Sequence, residues 1–349
     1  MQSLEKLLGK IRKEAEDYPI NETYHPNLID MGRYFEDAGV VGEDSVTILA
    51  ALGLSRGLSF SIEGPSGSGK TRIADAALSL FDTKFIYQLD LASDLALMKD
   101  AALVNKAEIL YIPELQKALK SQNPNLKEIV KSLTEGKDAT RRVSSGKTLE
   151  QTRIKGDIAL CTTLAAENSY KHDQESWRRL YQLFTHIEGA DYASVLTYKA
   201  QQRYMPEQQT QIASGEVKKL KHHMNHLLVH RKERVINPFA NYLLSIMPTD
   251  QPIVCAYIDH FLNLIEASTL FHKQDRKKSG ATTFTALDDV SLVHHLYKPH
   301  FEKSLGITLG AFDQQECMEQ GRIVMKEHYP KVPSPIFLTQ EPSSFRVKI

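Results

Sequence analysis

The stretch GPSGSGKT at residues 64–71 decides the fold of this chain of 349 residues. It matches G-x-x-x-x-G-K-[ST], the loop that cradles phosphate groups in nucleotide triphosphatases, and a chain of this length shows the pattern by chance about once in a hundred sequences. Residues 58–62 alternate apolar and small polar side chains, as a strand does, and residues 72–81 are rich in helix formers. A strand, a glycine loop and a helix in succession aim backbone N–H groups at phosphate. The sequence therefore predicts that the chain binds ATP or GTP, rather than forming a glycine-rich turn in a Rossmann-like unit.

Two residues of the loop carry specific chemistry. Lys70 is expected to reach the β- and γ-phosphates and the Thr71 hydroxyl to ligate Mg²⁺, so ATP and Mg²⁺ are the predicted cofactors. The residues assigned to nucleotide binding are Gly64, Pro65, Ser66, Gly67, Ser68, Gly69, Lys70 and Thr71.

The composition is that of an ordinary globular protein, with 42% hydrophobic residues, 25% charged residues and a formal net charge of zero. Without net charge, any nucleic-acid surface must be a local patch. Cys161, Cys255 and Cys317 form no C-x-x-C pair, which argues for reduced thiols and against a disulfide framework or a zinc site. There is no signal-peptide pattern and no apolar run of 18 residues, so we expect a cytoplasmic protein without a membrane partner.

Five short apolar runs alternate with helical stretches over residues 58–187. They predict an α/β core: a five-stranded parallel sheet with helices on both faces. Beyond about residue 197 the pattern becomes helical, which predicts an α-helical lid. The expected segments are an N-terminal helical segment at 1–36, the core at 37–197, a polar connector at 198–217, the lid at 218–305 and a loosely structured tail at 306–349.

An ATPase needs a carboxylate near the phosphate loop to orient the attacking water. The third predicted strand leads into Pro113 and Glu114, which makes Glu114 the candidate base. Pro113 stands where an aspartate is usual, so Mg²⁺ would depend on Thr71, the phosphates and water. A helix-start carboxylate is the structural alternative for Glu114. Thr163, at the end of the next predicted strand, could sense the γ-phosphate, although threonine is also an ordinary strand residue.

Arg178 and Arg179 stand shortly before the last predicted strand. Ring-forming ATPases present an arginine to the neighbouring subunit's nucleotide at this place, where it is worth several orders of magnitude in rate. The alternative is a surface ion pair with Asp173 or Glu175. Arg179 is the preferred candidate and Arg178 its rival.

Residues 133–156 lie between the strands that lead to Glu114 and Thr163, and their turn residues predict a β-hairpin. Six basic residues give the segment positive charge: Lys137, Arg141, Arg142, Lys147, Arg153 and Lys155. A basic hairpin that projects from the core suits contact with a nucleic-acid backbone. An ordinary solvated loop explains the charge equally well.

Residues from about 40 to 297 resemble the AAA+ superfamily, and more narrowly the helicase-like ATPase module found with phage and mobile-element DNA primases, a relative of the MCM helicases. The resemblance rests on VGEDSVTILAALGLSRGLSFSIEGPSGSGKT, ILYIPELQKA, SLTEGK, IALCTT and ESWRRLYQLF, and later on INPFANYL and FLNLIEASTLFHKQDR. It implies a homo-oligomeric ring, expected to be a hexamer, whose hairpins touch single-stranded DNA in a central channel. Arg141, Arg142 and Lys147 match the DNA-touching positions, and Arg179 matches the finger arginine. The sequence shows no zinc-finger primase domain or cysteine cluster, so primer synthesis is not implied, and a primase or other replication protein is a candidate partner.

Three functions are compatible with these residues. The first is an ATP-driven DNA helicase or translocase in the replication of a phage, plasmid or mobile element. The second is a protein-remodelling ATPase of the MoxR type, and the third is a replication initiator or helicase loader. The basic hairpin and the primase-type resemblance favour the first.

Overall fold

The computed structural model describes residues 18–21, 23–89, 94–116, 124–145, 148–165, 179–187, 189, 192–204, 212–248 and 250–332. These residues belong to two compact units. One unit consists of residues 35–228, and the other combines the segments on either side of it.

A parallel sheet organises the unit of residues 35–228. The strands of this unit are β1 (Phe60–Gly64), β2 (Ile86–Gln88), β3 (Ile109–Ile112), β4 (Ala139–Ser145), β5 (Thr148–Ile154), β6 (Ala159–Ala165) and β7 (Tyr181–Phe184). The sheet has the order β2-β3-β6-β1-β7 with every neighbouring pair parallel, and β4 and β5 form a separate pair. Because β1 lies between β6 and β7, the phosphate loop leaves the carboxyl edge of the sheet with a strand end on each side. The predicted α/β architecture, a five-stranded parallel sheet with helices on both faces and further helices after it, is confirmed.

Helices cover both faces of this sheet. The helices of this unit are α1 (Leu28–Asp37), which crosses the boundary between the units, α2 (Asp44–Arg56), α3 (Lys70–Leu78), α4 (Asp94–Lys99), α5 (Ala101–Val104), α6 (Pro124–Thr134), α7 (Tyr192–Tyr204) and α8 (Ser214–Val229). On one face Leu110 and Ile112 join a buried cluster with Leu97 from α4. The alternate residues Tyr111 and Cys161 are buried on the other face, where α2 and α3 pack on the sheet. Burial on both faces explains why these strands read as continuous apolar runs.

The strands β4 and β5 form the predicted hairpin, with seven residues in each strand. Ala139 pairs with Ile154 at its base, and both side chains are buried in the core cluster. The antiparallel pairing continues to Ser145 opposite Thr148. The hairpin is therefore anchored in the core at this end.

The second unit combines helices with a small sheet of order β8-β10-β9. Its elements, besides part of α1, are β8 (Arg234–Ile236), α9 (Ala240–Ser245), α10 (Pro252–Phe271), β9 (Lys278–Ser279), β10 (Thr282–Phe284), α11 (Leu287–Leu305) and α12 (Gln314–His328). Strands of two or three residues are too short to show an alternating pattern, which is why this sheet was not expected. Within the described residues, no helix is both long and apolar enough to cross a membrane.

The structure also differs from the expected connector and tail. The ends of α7 and α8 lie within 198–217, and α12 lies in the stretch expected to be loosely structured. Asp313 caps α12, since its carboxylate accepts the N–H groups of Gln315 and Glu316 at 2.8 and 3.0 Å. Cys317 and Met325 are buried on one side of the helix. A capped, one-sided apolar pattern makes a helix even where the surrounding sequence is polar.

Candidate nucleotide site and the opposite sheet edge

The phosphate loop has the backbone that its glycines predict. Gly67 and Gly69 adopt φ values of 81° and 84°, in the left-handed region, and α3 begins directly afterwards at Lys70. Gly64 is packed so closely that a Cβ there would overlap the Thr185 hydroxyl and approach the Ser68 Oγ to 2.8 Å. The loop therefore folds back against the end of β7, and its N–H groups and helix start are arranged as an anion site.

Lys70 lies over this loop. Its Nζ donates to the carbonyl oxygens of Gly64 and Pro65, at 2.9 and 2.6 Å. Burial lowers the pKa of this ammonium group, and the nearby charge of Glu114 opposes the shift. The loop, an ammonium group and a neighbouring carboxylate suit a magnesium-bound triphosphate, so the residues present fit the predicted cofactors. Thr71, the predicted Mg²⁺ ligand, is exposed in the first turn of α3.

Glu114 follows β3 at the same edge of the sheet and is exposed. Its φ of 51° places a non-glycine residue in the left-handed region. Its N–H donates to the Thr163 Oγ1 on the neighbouring strand β6, at 3.0 Å. Strained backbone of this kind persists only where surrounding contacts hold it, and it concentrates at functional sites. The structure thus brings Lys70, Glu114 and Thr163 together, and their predicted catalytic roles stay predictions.

Adjacent threonines of β6 have different partners. Thr162 Oγ1 donates to the carbonyl oxygen of Ile112 at 2.7 Å, inside the sheet. Thr163 Oγ1 instead accepts the N–H of Glu114. Both threonines are buried. Thr163 therefore holds the candidate base in place, and its predicted role as a γ-phosphate sensor stays a prediction.

Two contacts at this edge were not anticipated. The Thr185 hydroxyl lies 2.9 Å from the Ser68 Oγ, which joins the loop to the residue after β7. His186, next in sequence, adopts a φ of 56°, and its N–H and Nδ1 both lie 2.8 Å from Oε1 of the buried Glu43. No sequence motif marks these residues, because their proximity depends on β7 being the neighbour of β1.

Arg179 lies at the opposite edge of the sheet. Tyr181, the first residue of β7, pairs with Phe60, whereas the loop begins at Gly64, where β1 ends. At about 3.3 Å per residue, the start of β7 is about 13 Å from the level of Gly64 along the strand, and Arg179 precedes that start. Arg178, Asp173 and Glu175 lie outside the described residues, so the alternative ion pairs of Arg179 are not tested.

The described partner of Arg179 is Glu135, at the end of α6. Arg179 Nη1 contacts Glu135 Oε1, and the other carboxylate oxygen accepts from Lys137 Nζ at 2.6 Å. Both Glu135 and Arg179 are partly buried. A hydrogen bond from Lys137 lowers the pKa of Glu135, and the charges of Arg179 and Lys137 add to the effect. Glu135 therefore stays ionised at neutral pH.

Three of the six basic residues in the hairpin segment are engaged at its base. Lys137 pairs with Glu135, Arg153 with Asp138, and Lys155 with Glu108, the last at 2.9 Å. The predicted DNA-touching residues lie further out. Arg141 and Arg142 occupy β4 opposite Thr152 and Gln151, and Lys147 lies outside the described residues.

The two ends of the hairpin segment meet in close backbone contact. Gly156 N donates to the Asp138 Oδ1 at 2.8 Å. A Cβ at Gly156 would overlap the backbone of Gly136 and Lys137, so this position admits only glycine without movement of the chain. The base of the hairpin is thereby tied to the end of α6.

Comparisons with known proteins give only distant likenesses. No protein-family model matches the chain, and no curated protein matches it. One similar solved structure is a candidate ATPase from Cytophaga hutchinsonii, with 12% identity, a TM-score of 0.46, and 90% of this chain and 97% of that one covered. Another is a full-length MCM homolog from Methanopyrus kandleri, with 12% identity, a TM-score of 0.46, and coverage of 80% of this chain and 62% of the homolog. At these values neither likeness bears on what this chain binds or does.

Proposed function

We propose that this chain is an ATP-hydrolysing AAA+ motor that acts on single-stranded DNA as a homo-oligomeric ring, expected to be a hexamer. The setting that best suits it is replication of a phage, plasmid or other mobile element, with a primase or other replication protein as a separate partner. The observation that carries the proposal is the division of the sheet. The residues proposed to bind and hydrolyse ATP converge at its carboxyl edge, while Arg179 and the base of the hairpin lie at the other edge.

The carboxyl edge supplies one half of a hydrolytic site. When bound, Mg²⁺–ATP supplies the γ-phosphoryl group that water attacks. The loop N–H groups and Lys70 would bind the phosphates, and the Thr71 hydroxyl would ligate the metal. Glu114, held by its N–H bond to Thr163, would orient the water and accept its proton.

Arg179 would complete the site of a neighbouring subunit. It cannot act on the loop of its own subunit, because the start of β7 and the loop lie at opposite ends of adjacent parallel strands. An arginine at that edge is available to another copy of the chain, where it would stabilise transition-state charge. This separation requires an oligomer if Arg179 is catalytic.

The hairpin would contact the DNA backbone through its outer basic residues. The pairing of Lys137, Arg153 and Lys155 with carboxylates assigns them to the base of the hairpin. Arg141, Arg142 and Lys147, the positions that match the DNA-touching residues of the family the sequence resembles, are the residues proposed to bind phosphates. Because the whole chain has no net charge, such binding would depend on these few positions.

The test is the steady-state ATPase rate with and without single-stranded DNA, together with DNA affinity over a range of salt. Lys147→Ala and its matched control Lys155→Ala each remove one lysine charge from the same segment. We expect Lys147→Ala, and likewise Arg141→Ala, to weaken DNA binding and stimulation, with the slope of log K against log salt reduced by about 0.7. Lys155→Ala should keep that slope.

Other outcomes would redirect or end the proposal. An ATPase indifferent to DNA, with Arg141→Ala and Lys147→Ala behaving as wild type, would reject a DNA motor and favour a polypeptide substrate. Stimulation by DNA without unwinding or movement on a forked substrate would indicate an initiator or loader. If Lys70→Ala protein bound ATP as tightly as wild type, the assignment of the loop to ATP binding would fail, and with it all three candidate functions.

A further inference from the structure

The contact between Glu135 and Arg179 joins two parts of the proposed motor. Glu135 belongs to the segment that leads from α6 into the hairpin, whereas Arg179 belongs to the approach to β7. Leu133 and Leu180, which neighbour the two residues in sequence, are both buried in the core cluster that contains Ala139 at the hairpin base. The ion pair therefore spans two segments whose backbones are fixed in one core.

The backbone around Glu135 is well determined. Its N–H donates to the carbonyl oxygens of Lys131 and Ser132, at 3.1 and 3.2 Å. Gly136 follows with a φ of 67°, and the N–H of Lys137 returns to the Ser132 oxygen at 2.9 Å, which ends α6 in a tight left-handed turn. The backbone thus fixes the position from which the Glu135 side chain extends, and its two carboxylate oxygens contact Lys137 and Arg179 separately.

We infer that Glu135 is a positioning residue for Arg179, which it holds at the base of the hairpin so that the arginine and the hairpin act as one body. The inference rests on the proposed function, since it assumes that Arg179 serves a neighbouring subunit. An arginine side chain has considerable rotamer entropy, and a fixed carboxylate removes part of that freedom before the neighbouring site is formed. Displacement of the hairpin by DNA would reach the carboxylate through Lys137, which binds its other oxygen, and through the carboxylate the guanidinium group.

The test compares Glu135→Gln with Glu108→Gln. Glutamine keeps the shape of each side chain but removes its charge, and Glu108 forms the other glutamate ion pair at the hairpin base, with Lys155. We expect Glu135→Gln to lower kcat by about tenfold and to reduce stimulation by DNA, with ATP affinity and melting temperature little changed. Glu108→Gln should keep both kcat and stimulation.

Two further measurements separate positioning from a purely structural role. In an Arg179→Ala background, Glu135→Gln should produce no additional loss of kcat, because both changes interrupt one interaction. When Glu135→Gln protein is mixed with Lys70→Ala protein, activity should exceed the sum of the two, because the Lys70→Ala subunits supply an intact Glu135–Arg179 pair to their neighbours. Additive losses, or no gain on mixing, would overturn the inference.

The failure of the inference can be told from failure of the proposed function. A slow Arg179→Ala protein beside a Glu135→Gln protein of normal rate overturns the inference alone. A Glu135→Gln protein faster than wild type also overturns it, since Glu135 would then restrain Arg179. A wild-type chain that does not hydrolyse ATP, or an Arg179→Ala protein of normal rate, overturns both.

Discussion

The two edges of the parallel sheet are built from different interactions. At the carboxyl edge, backbone geometry dominates: glycines at positive φ, Glu114 in the left-handed region, and hydrogen bonds that involve the hydroxyls of Thr163 and Thr185. At the amino edge, ion pairs dominate, and they join the hairpin base to α6 and to the approach to β7. Strained backbone at the first edge is held by the contacts around it, whereas partly exposed ion pairs at the second contribute little each to stability and act mainly by orienting charge. The first edge is therefore suited to holding phosphate and the second to responding to a neighbour.

The largest effect should come from Arg179→Ala. We expect kcat to fall by about a thousandfold if the arginine acts across subunits, with ATP binding retained because the loop lies at the other edge. Mixing this variant with Lys70→Ala should restore activity at interfaces that combine one intact Lys70 with one intact Arg179. ATPase rates measured against mixing ratio give the result, and a strictly inactive mixture would mean that the two edges do not meet across an interface.

Alanine substitutions of Gly64, at the carboxyl edge, and Gly156, at the hairpin base, should differ in whether a second substitution restores the lost stability. We expect Gly64→Ala and Gly156→Ala each to destabilise the protein by about 2 kcal/mol, because a Cβ overlaps neighbouring atoms in both places. The overlap at Gly64 is with the side chains of Thr185 and Ser68, whereas at Gly156 it is with backbone. Adding Thr185→Ala should therefore recover part of the stability lost by Gly64→Ala.

Urea denaturation of the Gly64→Ala and Gly64→Ala/Thr185→Ala variants measures the free energy of unfolding and hence the stability recovered. The control is Thr185→Ala combined with Gly156→Ala, which should give no recovery. If Thr185→Ala restored the same stability to both glycine variants, the side-chain overlap at Gly64 would not differ in effect from the backbone overlap at Gly156.

The smallest effect is expected when the hydroxyls of the adjacent β6 residues Thr162 and Thr163 are removed one at a time. Thr163→Val should lower kcat by about tenfold, since it removes the acceptor of the Glu114 N–H, and should alter stability little. Thr162→Val should leave kcat unchanged and cost about 1 kcal/mol of stability, because a buried hydroxyl bonded to the Ile112 oxygen is lost. The ATPase rates and the unfolding free energies of the two variants measure this difference. If both variants lost the same rate and the same stability, Thr163 would have no role specific to the site.

Features encoded within a short segment could be predicted from the sequence. The phosphate loop has its pattern in eight consecutive residues, and Glu114 directly follows an apolar strand. The hairpin follows from turn residues at its ends. In each case the determining atoms lie close together along the chain, so local periodicity and turn chemistry are sufficient.

Features that depend on strand order could not be predicted in the same way. The bond between Glu114 and Thr163 requires β3 and β6 to be neighbours, and the contact of Thr185 with Ser68 requires β7 beside β1. The partner of Arg179 lies more than forty positions earlier in the chain, at Glu135. Charge alone does not choose among several carboxylates, so the sequence offered Asp173 and Glu175 as partners but did not indicate Glu135.

The length of the hairpin has a mechanical consequence. Seven residues of antiparallel strand extend about 24 Å at about 3.4 Å per residue, from a base fixed in the core. On such a lever, a tilt of about 8° at the base displaces the outer end by about 3.4 Å, the spacing of successive nucleotides along one strand of a duplex. A rotation that small needs no unfolding at the base, so under the proposed function one hydrolysis cycle would advance a bound strand by one nucleotide while the core remains intact.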